Sequence, residues 1–564
     1  MQQRFKKRLI SALLCSVLAA SMLGTGCGTS PTGNSSDVSS DSASAVQPSQ
    51  SDAPAKRTLE GEDVVKSEHY TLSKQLVAYL YNNYYDQYRT SLRESLTMRG
   101  LDVTKSLKEQ YYDAENGITW YDYFMDMTKQ YLTQLLVFCE AAKAEGIELD
   151  ADDKAKVETT VNSIKTSAKT NNMSVDEFIQ KEFGKGVTED EISRYLEMTA
   201  ISTRYRENLY NSYQYTEEQY EKYYQENKTS YLFADFLTFK FNFAVSESSD
   251  SSAAPAVNQE LKAKAKENAE ALAKSKTAQQ FRSALKKYYR SNPQLLPVTD
   301  GKTPTDDELN ELIDQQVKAA EIKKQPYEVT SPDTKWIFDA SRETCDTTVL
   351  ESDTAYTVIM VTRTAYRDES LYKNVRHILV TSNQYDGNES KARSRAEEIY
   401  NEWKKGDATE ESFAALAQLY SEDPGSSSNG GLYTDVGEGT MVAEFNDWLF
   451  DGKRKVGDTD IVKTTYGYHI MYFCGNGEVV WKKSVDTVLR KNDYQEAYKK
   501  LLEKYEIIFD DVYLNTIEEA APVEEASLAS QPSTQASEPA SADNSQQASQ
   551  KEESKPASQE ASGS

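Results

Sequence analysis

A chain of 564 residues is too long for a single hydrophobic core, so three or four domains are expected. Its net charge of −26 and pI near 4.8 argue against nucleic-acid binding, which needs basic surface, and keep the chain soluble. The five cysteines (Cys15, Cys27, Cys139, Cys345 and Cys474) are too scattered for a disulfide framework or a metal-ligand set.

Residues 1–26 begin with Arg4, Lys6, Lys7 and Arg8, run through an apolar stretch from Leu9 to Leu23, and end on small residues before Cys27. The stretch is shorter than the ~20 residues of a membrane span and reads as a signal peptide. Leu23-Gly24-Thr25-Gly26-Cys27 resembles a bacterial lipobox, departing from it in the early Leu and in the Gly three places before Cys. It implies cleavage and lipidation of Cys27, where two acyl chains would give stable anchoring. An ordinary secretory signal with an incidental cysteine is the alternative. Residues 27–58 are Ser, Asp, Ala, Pro and Thr with few large apolar groups, a tether that cannot bury enough surface to order itself.

Residues 59–228 read as mostly helical. Capping boxes stand at Ser174/Glu177, Thr188/Glu191 and Thr216/Gln219, and apolar residues recur at helical spacing, as in Leu76, Tyr79, Leu80 and Tyr84. Tyr79, Tyr81, Tyr84, Tyr85 and Tyr88 offer apolar area with a polar tip, suited either to contact with unfolded chains or to ordinary helix packing.

An internal repeat follows. Trp336–Val361 aligns without gaps to Trp448–Phe473 at a constant offset of 112 residues, with Trp336/Trp448, Phe338/Phe450, Asp339/Asp451, Arg342/Arg454, Asp346/Asp458, Thr347/Thr459 and Tyr356/Tyr468 identical. Within the second copy, Asn374–Gly475, lie two of the three histidines, His377 and His469, each inside a short apolar run that reads as a buried strand. The first copy has Thr357 where the second has His469, and no histidine in its first strand. After the repeat, Asn492–Tyr505 reads as a helix with Tyr498, Leu501, Leu502 and Tyr505 on one face; residues 518–564 are a polar tail of Glu, Ala, Ser, Gln and Pro.

The motifs R-H-I-L-V, F-x-x-L-A-x-x-Y-S-E-D-P, N-G-G-L-Y, G-E-G-T-M-V-x-E-F and G-Y-H-I occur in order over about a hundred residues. This segment resembles a parvulin-type peptidyl-prolyl isomerase domain, and Ser174–Ala200 resembles the helical chaperone domain of PrsA and SurA proteins. The whole chain is therefore similar to PrsA-like extracytoplasmic foldases. The fold expected is α+β and multidomain: a helical chaperone domain at 59–228 completed by 479–517, a degenerate parvulin-like domain at 229–366, and a parvulin-type domain of FKBP-like superfold at 370–478.

Isomerising an X–Pro bond breaks amide resonance against a barrier of about 20 kcal/mol, but makes and cuts no bond to proline. No cofactor and no metal is therefore expected. A partly dry pocket for the pyrrolidine ring and groups that favour the twisted amide suffice. The resemblance implies a ring pocket of Leu432, Met441 and Phe445 over a polar floor of His377, Asp423, Thr464 and His469. Asp423 either orients a histidine or lies near the substrate carbonyl. Packing at i, i+4 on a helix is the plain alternative for Met441 and Phe445. No basic loop that would select phosphorylated Ser-Pro lies between Asp423 and Leu432.

The expected function is that of a foldase anchored on the outer face of a Gram-positive membrane. It would act on unfolded exported proteins and X–Pro peptides, contact the lipid bilayer through Cys27, bind no nucleic acid, and leave room for a homodimer. A catalytically silent holdase using parvulin folds as scaffold, or a cell-wall interaction protein, are the competing readings.

Overall fold

The computed structural model describes residues 63–91, 100–245, 256–257, 259–296 and 305–519. The signal segment, Cys27, the tether and the tail beyond Glu519 lie outside them. The chain divides into two compact units, one reaching Tyr213 and resuming at Lys491, the other spanning Gln214–Arg490.

The first unit opens with strands β1 (Asp63–Lys66) and β2 (Thr71–Ser73), paired antiparallel, and runs into helix α1 (Lys74–Ser91). A short hairpin of β3 (Tyr111–Asp113) and β4 (Ile118–Thr119) leads to α2 (Trp120–Ala144), followed by α3 (Ala151–Thr170), α4 (Val175–Phe183) and α5 (Glu189–Ser212). The capping boxes of α4 and α5 form as their sequences dictate, each side chain satisfying an orphan N–H worth about 1 kcal/mol.

Tyr81, Tyr84 and Tyr85 are core residues. They are buried with Trp120, Phe124 and Leu132, while Tyr79 and Tyr88 pack partly buried against the same core. Helix packing, and not an exposed client-binding face, accounts for this tyrosine run. The remaining histidine, His69, pairs through Nδ1 with Oε2 of Glu140 on α2 at 2.7 Å. Oε1 of the buried Glu140 accepts from Ser67 Oγ (2.6 Å) and His69 N–H (2.8 Å), pinning the β1–β2 turn to α2.

The second unit begins with α6 (Glu217–Glu226), whose Tyr220 and Tyr224 are buried with Trp481 and Val485. The unit boundary at Tyr213 therefore falls ahead of α6, whereas the sequence pattern groups that helix with those before it. Next come β5 (Leu232–Asn242), a minor ribbon of β6 (Ala244–Val245) and β7 (Ala256–Val257), helices α7 (Gln259–Ala273), α8 (Ala278–Ser291) and α9 (Asp306–Ala319), β8 (Glu321–Pro326), α10 (Pro332–Ile337), β9 (Thr347–Glu351) and β10 (Ala355–Arg367). They form a four-stranded antiparallel sheet ordered β8-β5-β10-β9, with α7, α8 and α9 packed on one face and α10 on the other.

The chain then repeats the plan. β11 (Leu371–Val380), α11 (Glu389–Lys405), α12 (Glu410–Tyr420), β12 (Leu432–Val436), α13 (Ala443–Leu449), β13 (Thr459–Thr464) and β14 (Gly467–Val479) build a sheet ordered β12-β11-β14-β13. The helices α11 and α12 cover one face around Ile378, Phe413 and Tyr472; α13 covers the other around Val375, Phe445 and Met471. The two sheets share strand order and the inner register: Thr238 stands opposite Ile359 as His377 stands opposite Met471, 112 residues on. By that register Thr238 and Thr357 occupy the places of His377 and His469.

Helix α14 (Val480–Lys504) buries Trp481 and Val485 in the second unit. Within the first unit, Tyr498, Leu501 and Tyr505 pack around Phe138, and β15 (Ile508–Phe509) pairs antiparallel with β1 before a final turn, α15 (Asp511–Leu514). Leu502, which the helical pattern puts on the same face, is 41% exposed.

Candidate active site

Sheet register brings the two histidines together. In β11 and β14, His377 stands opposite Met471 and Leu379 opposite His469, so the histidines are diagonal neighbours on one face. Their rings stack at 5.2 Å between centroids, and the two Nδ1 atoms lie 3.1 Å apart. Both residues are buried.

Asp423 arrives from the far end of α12. After that helix ends, Ser421 Oγ accepts the Leu379 N–H (3.1 Å) and Glu422 N–H donates to the Leu379 carbonyl (2.9 Å), docking the segment on β11. The next residue, Asp423, puts Oδ2 3.0 Å from His377 Nε2. Thr464 ends β13 and sets Oγ1 2.9 Å from His469 Nε2, while that oxygen also accepts the Tyr466 N–H at 3.1 Å. The four polar candidates thus form one chain: Asp423, His377, His469, Thr464.

The N-G-G turn makes this packing feasible. His377 donates its N–H to the Gly431 carbonyl at 2.9 Å. Gly431 has φ +72, and a Cβ there would meet the His377 carbonyl oxygen at 2.2 Å, so only glycine fits.

Phe445, on α13, is buried and meets both imidazoles edge-on, at 5.5 Å from His377 and 5.4 Å from His469. Met441 is partly buried beside it, but in the turn ahead of α13, which starts only at Ala443. The plain alternative for Met441 and Phe445, packing at i, i+4 on one helix, is therefore not how they meet. Leu432 stands opposite Arg376 in the ladder and lies outside the cluster of Val375, Phe445 and Met471. Its neighbour Tyr433, opposite Val375, stacks on His377 at 5.3 Å.

Two residues at the site escape sequence reasoning. Tyr433 donates its hydroxyl to Asp423 Oδ2 at 2.9 Å. Ser426, fully buried, bonds Asp423 Oδ2 and lies 3.1 Å from His377 Nε2. Tyr433 sits inside the N-G-G-L-Y motif, one place from the residue singled out, and the period of two along a strand was the available signal. Ser426 is one of three consecutive serines, with nothing local to distinguish it.

Electrostatics gives the chain a direction. The His377 hydrogen bond, aided by the Ser426 and Tyr433 hydroxyls and opposed by burial, holds the Asp423 carboxyl well below the usual carboxylate range. Burial lowers His469 to about 3, with His377 beside it adding to the shift. Burial, then Asp423, pushes the Tyr433 phenol up to about 12. An ionised Asp423 accepts Nε2–H from His377. With that Nε2–H directed at Asp423, His377 Nδ1 is the acceptor for His469 Nδ1–H, and His469 Nε2 accepts from the Thr464 hydroxyl. Every polar atom in this row then has a partner.

A four-stranded antiparallel sheet with helices on both faces, and a buried histidine pair between a carboxylate and a threonine, defines a parvulin-type domain. Residues 343–474 match the family described as PPIC-type PPIASE domain. That match begins upstream of β11, in the region of β9 and β10. The chain is PrsA/SurA-like: it is 36% identical over 169 residues to "Foldase protein PrsA" of Geobacillus sp. (strain WCH70), covering 29% of this chain and 54% of that one. It is 32% identical over 146 residues to "Chaperone SurA" of Pseudomonas putida, covering 25% of this chain and 32% of that one. The chain spans about half the length of the first relative and a third of the second. Among solved structures, PrsA from Bacillus subtilis aligns at 19% identity over 56% of this chain and 88% of that one, with a TM-score of 0.18.

Proposed function

We propose that the protein is an exported foldase, held to the membrane through Cys27, whose 370–478 domain isomerises X–Pro bonds in unfolded exported proteins. The observation that carries this reading is the buried hydrogen-bond row Asp423–His377–His469–Thr464 lying against Phe445.

The chemistry follows from polarity. A planar amide is strongly charge-separated, and the twisted amide is less so. An apolar wall of Met441 and Phe445 holding the pyrrolidine ring, with the buried His469 imidazole kept neutral beside it, favours the twisted form. Asp423 acts through His377, fixing its tautomer and orientation, and lies behind that ring. Tyr433 and Ser426 hold the carboxylate. The rings polarise and shape the site; they transfer nothing to the substrate.

The test is the cis-to-trans rate of an Ala-Pro or Lys-Pro peptide with the full chain, beside Met441→Ala. Acceleration that falls away in the variant supports the reading. No acceleration by folded protein overturns it in favour of a holdase that uses parvulin folds as scaffold. Anchoring is tested separately: Cys27→Ser should release the exported protein from the membrane fraction, and retention would count against the lipid.

A further inference from the structure

The two sheets share a defect as well as a fold. In the first, register passes from Ala234 opposite Gln325 to Phe236 opposite Ile322, so Lys323 and Lys324 of β8 face Asp235 alone. In the second it passes from Val375 opposite Tyr433 to Lys373 opposite Val436, so Thr434 and Asp435 of β12 face Asn374 alone. Each is a bulge of two residues against one. In each, the second residue is left-handed: Lys324 and Asp435 both have φ of 52. In each, that residue's N–H is captured by the side chain opposite, Lys324 by Asp235 Oδ1 at 2.8 Å and Asp435 by Asn374 Oδ1 at 2.9 Å. A left-handed non-glycine residue is costly and persists only where its surroundings hold it.

The bulges aim charges of opposite sign, and both contacts converge on one stretch. Lys324 Nζ lies 3.2 Å from Asp368 Oδ2 and 3.3 Å from Glu438 Oε2. Asp368 is 6% exposed and its carboxyl is held low despite burial, by Ser370 and by Lys324. Asp435 meets Lys483 of α14 at 3.0 Å. Asp435, next to the last residue of β12, and Glu438 bracket Val436 and Gly437, where the strand passes into the turn that delivers Met441. That turn is closed on itself by Thr440 Oγ1 to the Gly437 carbonyl (2.8 Å) and tied to α13 by Gly439 N–H to Asn446 Oδ1 (2.6 Å).

We infer that Lys324 and Lys483 are positioning residues for residues 435–441, and that the histidine-free sheet serves as a brace that sets Met441 for the neighbouring site. The inference rests on the proposed isomerase reading for its kinetic consequence, but its structural content is independent of activity. Neither lysine touches the reacting amide; both act through the turn. Both pairs are partly exposed, so the brace weakens as salt screens it.

The experiment compares full-length wild type, Lys324→Gln, Lys483→Gln, the double variant and Lys324→Arg/Lys483→Arg. The protein carries carbon-13 methionine methyl groups and is assayed on an Ala-Pro peptide at low and high salt. In the double Gln variant the Met441 methyl resonance is expected to move and broaden while the other methionines hold. KM should rise about three- to tenfold at nearly unchanged kcat, Tm should stay close to wild type, and the Arg pair should restore both signals. High salt should reproduce the shift in wild type and add little in the double variant. An unmoved Met441 resonance in the double variant overturns the brace, whatever the activity. A wild type that moves no peptide overturns the isomerase reading alone, and the methyl spectrum then still decides the brace.

Discussion

His377 and His469 face each other through their Nδ1 atoms at 3.1 Å, in the middle of a row that runs from Asp423 to Thr464. One nitrogen must donate and the other accept, so the carboxylate at one end dictates the tautomer of both rings.

Burial of a neutral His469 has a consequence for stability. Its folded pKa, lowered to about 3, lies below the ordinary histidine value, so the unfolded chain binds the extra proton between about pH 6.5 and pH 3. Stability therefore falls as pH drops through that window, by at most about 1.4 kcal/mol per pH unit for this one group. Asp423, shifted down, adds loss in the same direction below about pH 4. Urea midpoints at pH 7.5 and 4.5 check this; a midpoint that rises on acidification would contradict it. Imidazole resonances of His469 should stay still between pH 5 and 8.

Thr464→Val keeps shape and removes the donor to His469 Nε2. A buried nitrogen left without a partner costs about 1–3 kcal/mol. Equilibrium unfolding should register that loss, and peptide isomerisation should slow, because the His469 ring then loses the partner that anchors its Nε2 edge. Unchanged values in both measurements would remove Thr464 from the row.

Met441 and Phe445 should separate activity from stability. Phe445 is 3% exposed among Val375, Trp448 and Met471, so Phe445→Ala should cost about 3–5 kcal/mol. Met441 is only partly buried in its turn, so Met441→Ala should cost distinctly less while lowering kcat/KM about tenfold, equivalent to about 1.4 kcal/mol of transition-state contact. Equal losses of stability in the two variants would show that Met441 is ordinary core.

Gly431 and Gly439 both have positive φ, but only one is enclosed. A Cβ at Gly431 would strike the His377 carbonyl oxygen at 2.2 Å and Ala417 Cβ at 3.0 Å; at Gly439 nothing lies within 4 Å. Gly439→Ala should therefore cost only the left-handed strain of about 1–2 kcal/mol. Gly431→Ala should cost more than that and displace β12 from His377. Thermal unfolding of the two variants makes the comparison, and equal shifts would refute it.

Much of the architecture is local and can be read along the chain. Capping boxes at Ser174, Thr188 and Thr216 need only a residue and its third neighbour, and all three form. The repeat at a constant offset of 112 residues becomes two sheets of one strand order because the same alternation of buried and exposed positions builds the same ladder. The histidines could be placed on strands, and Asp423 after a helix, without coordinates.

Tertiary structure decided what those patterns leave free. Whether Tyr81, Tyr84 and Tyr85 face clients or a core depended on α2 covering them, and it does. Whether Leu432 or Tyr433 reaches His377 depended on a register in which one residue of slip exchanges the two faces. The docking of Ser421 and Glu422 on Leu379 sets Asp423 Oδ2 3.0 Å from His377 Nε2, a contact that no local pattern around Asp423 specifies. Ser426, Lys324 and Lys483 carry no local mark, because their partners are set by how separate segments pack. Sequence alone determined which elements form, since hydrogen bonds and side-chain periodicity act over a few residues. Only the folded chain decided which side chains meet, since that depends on strand register and on packing between residues far apart in the chain.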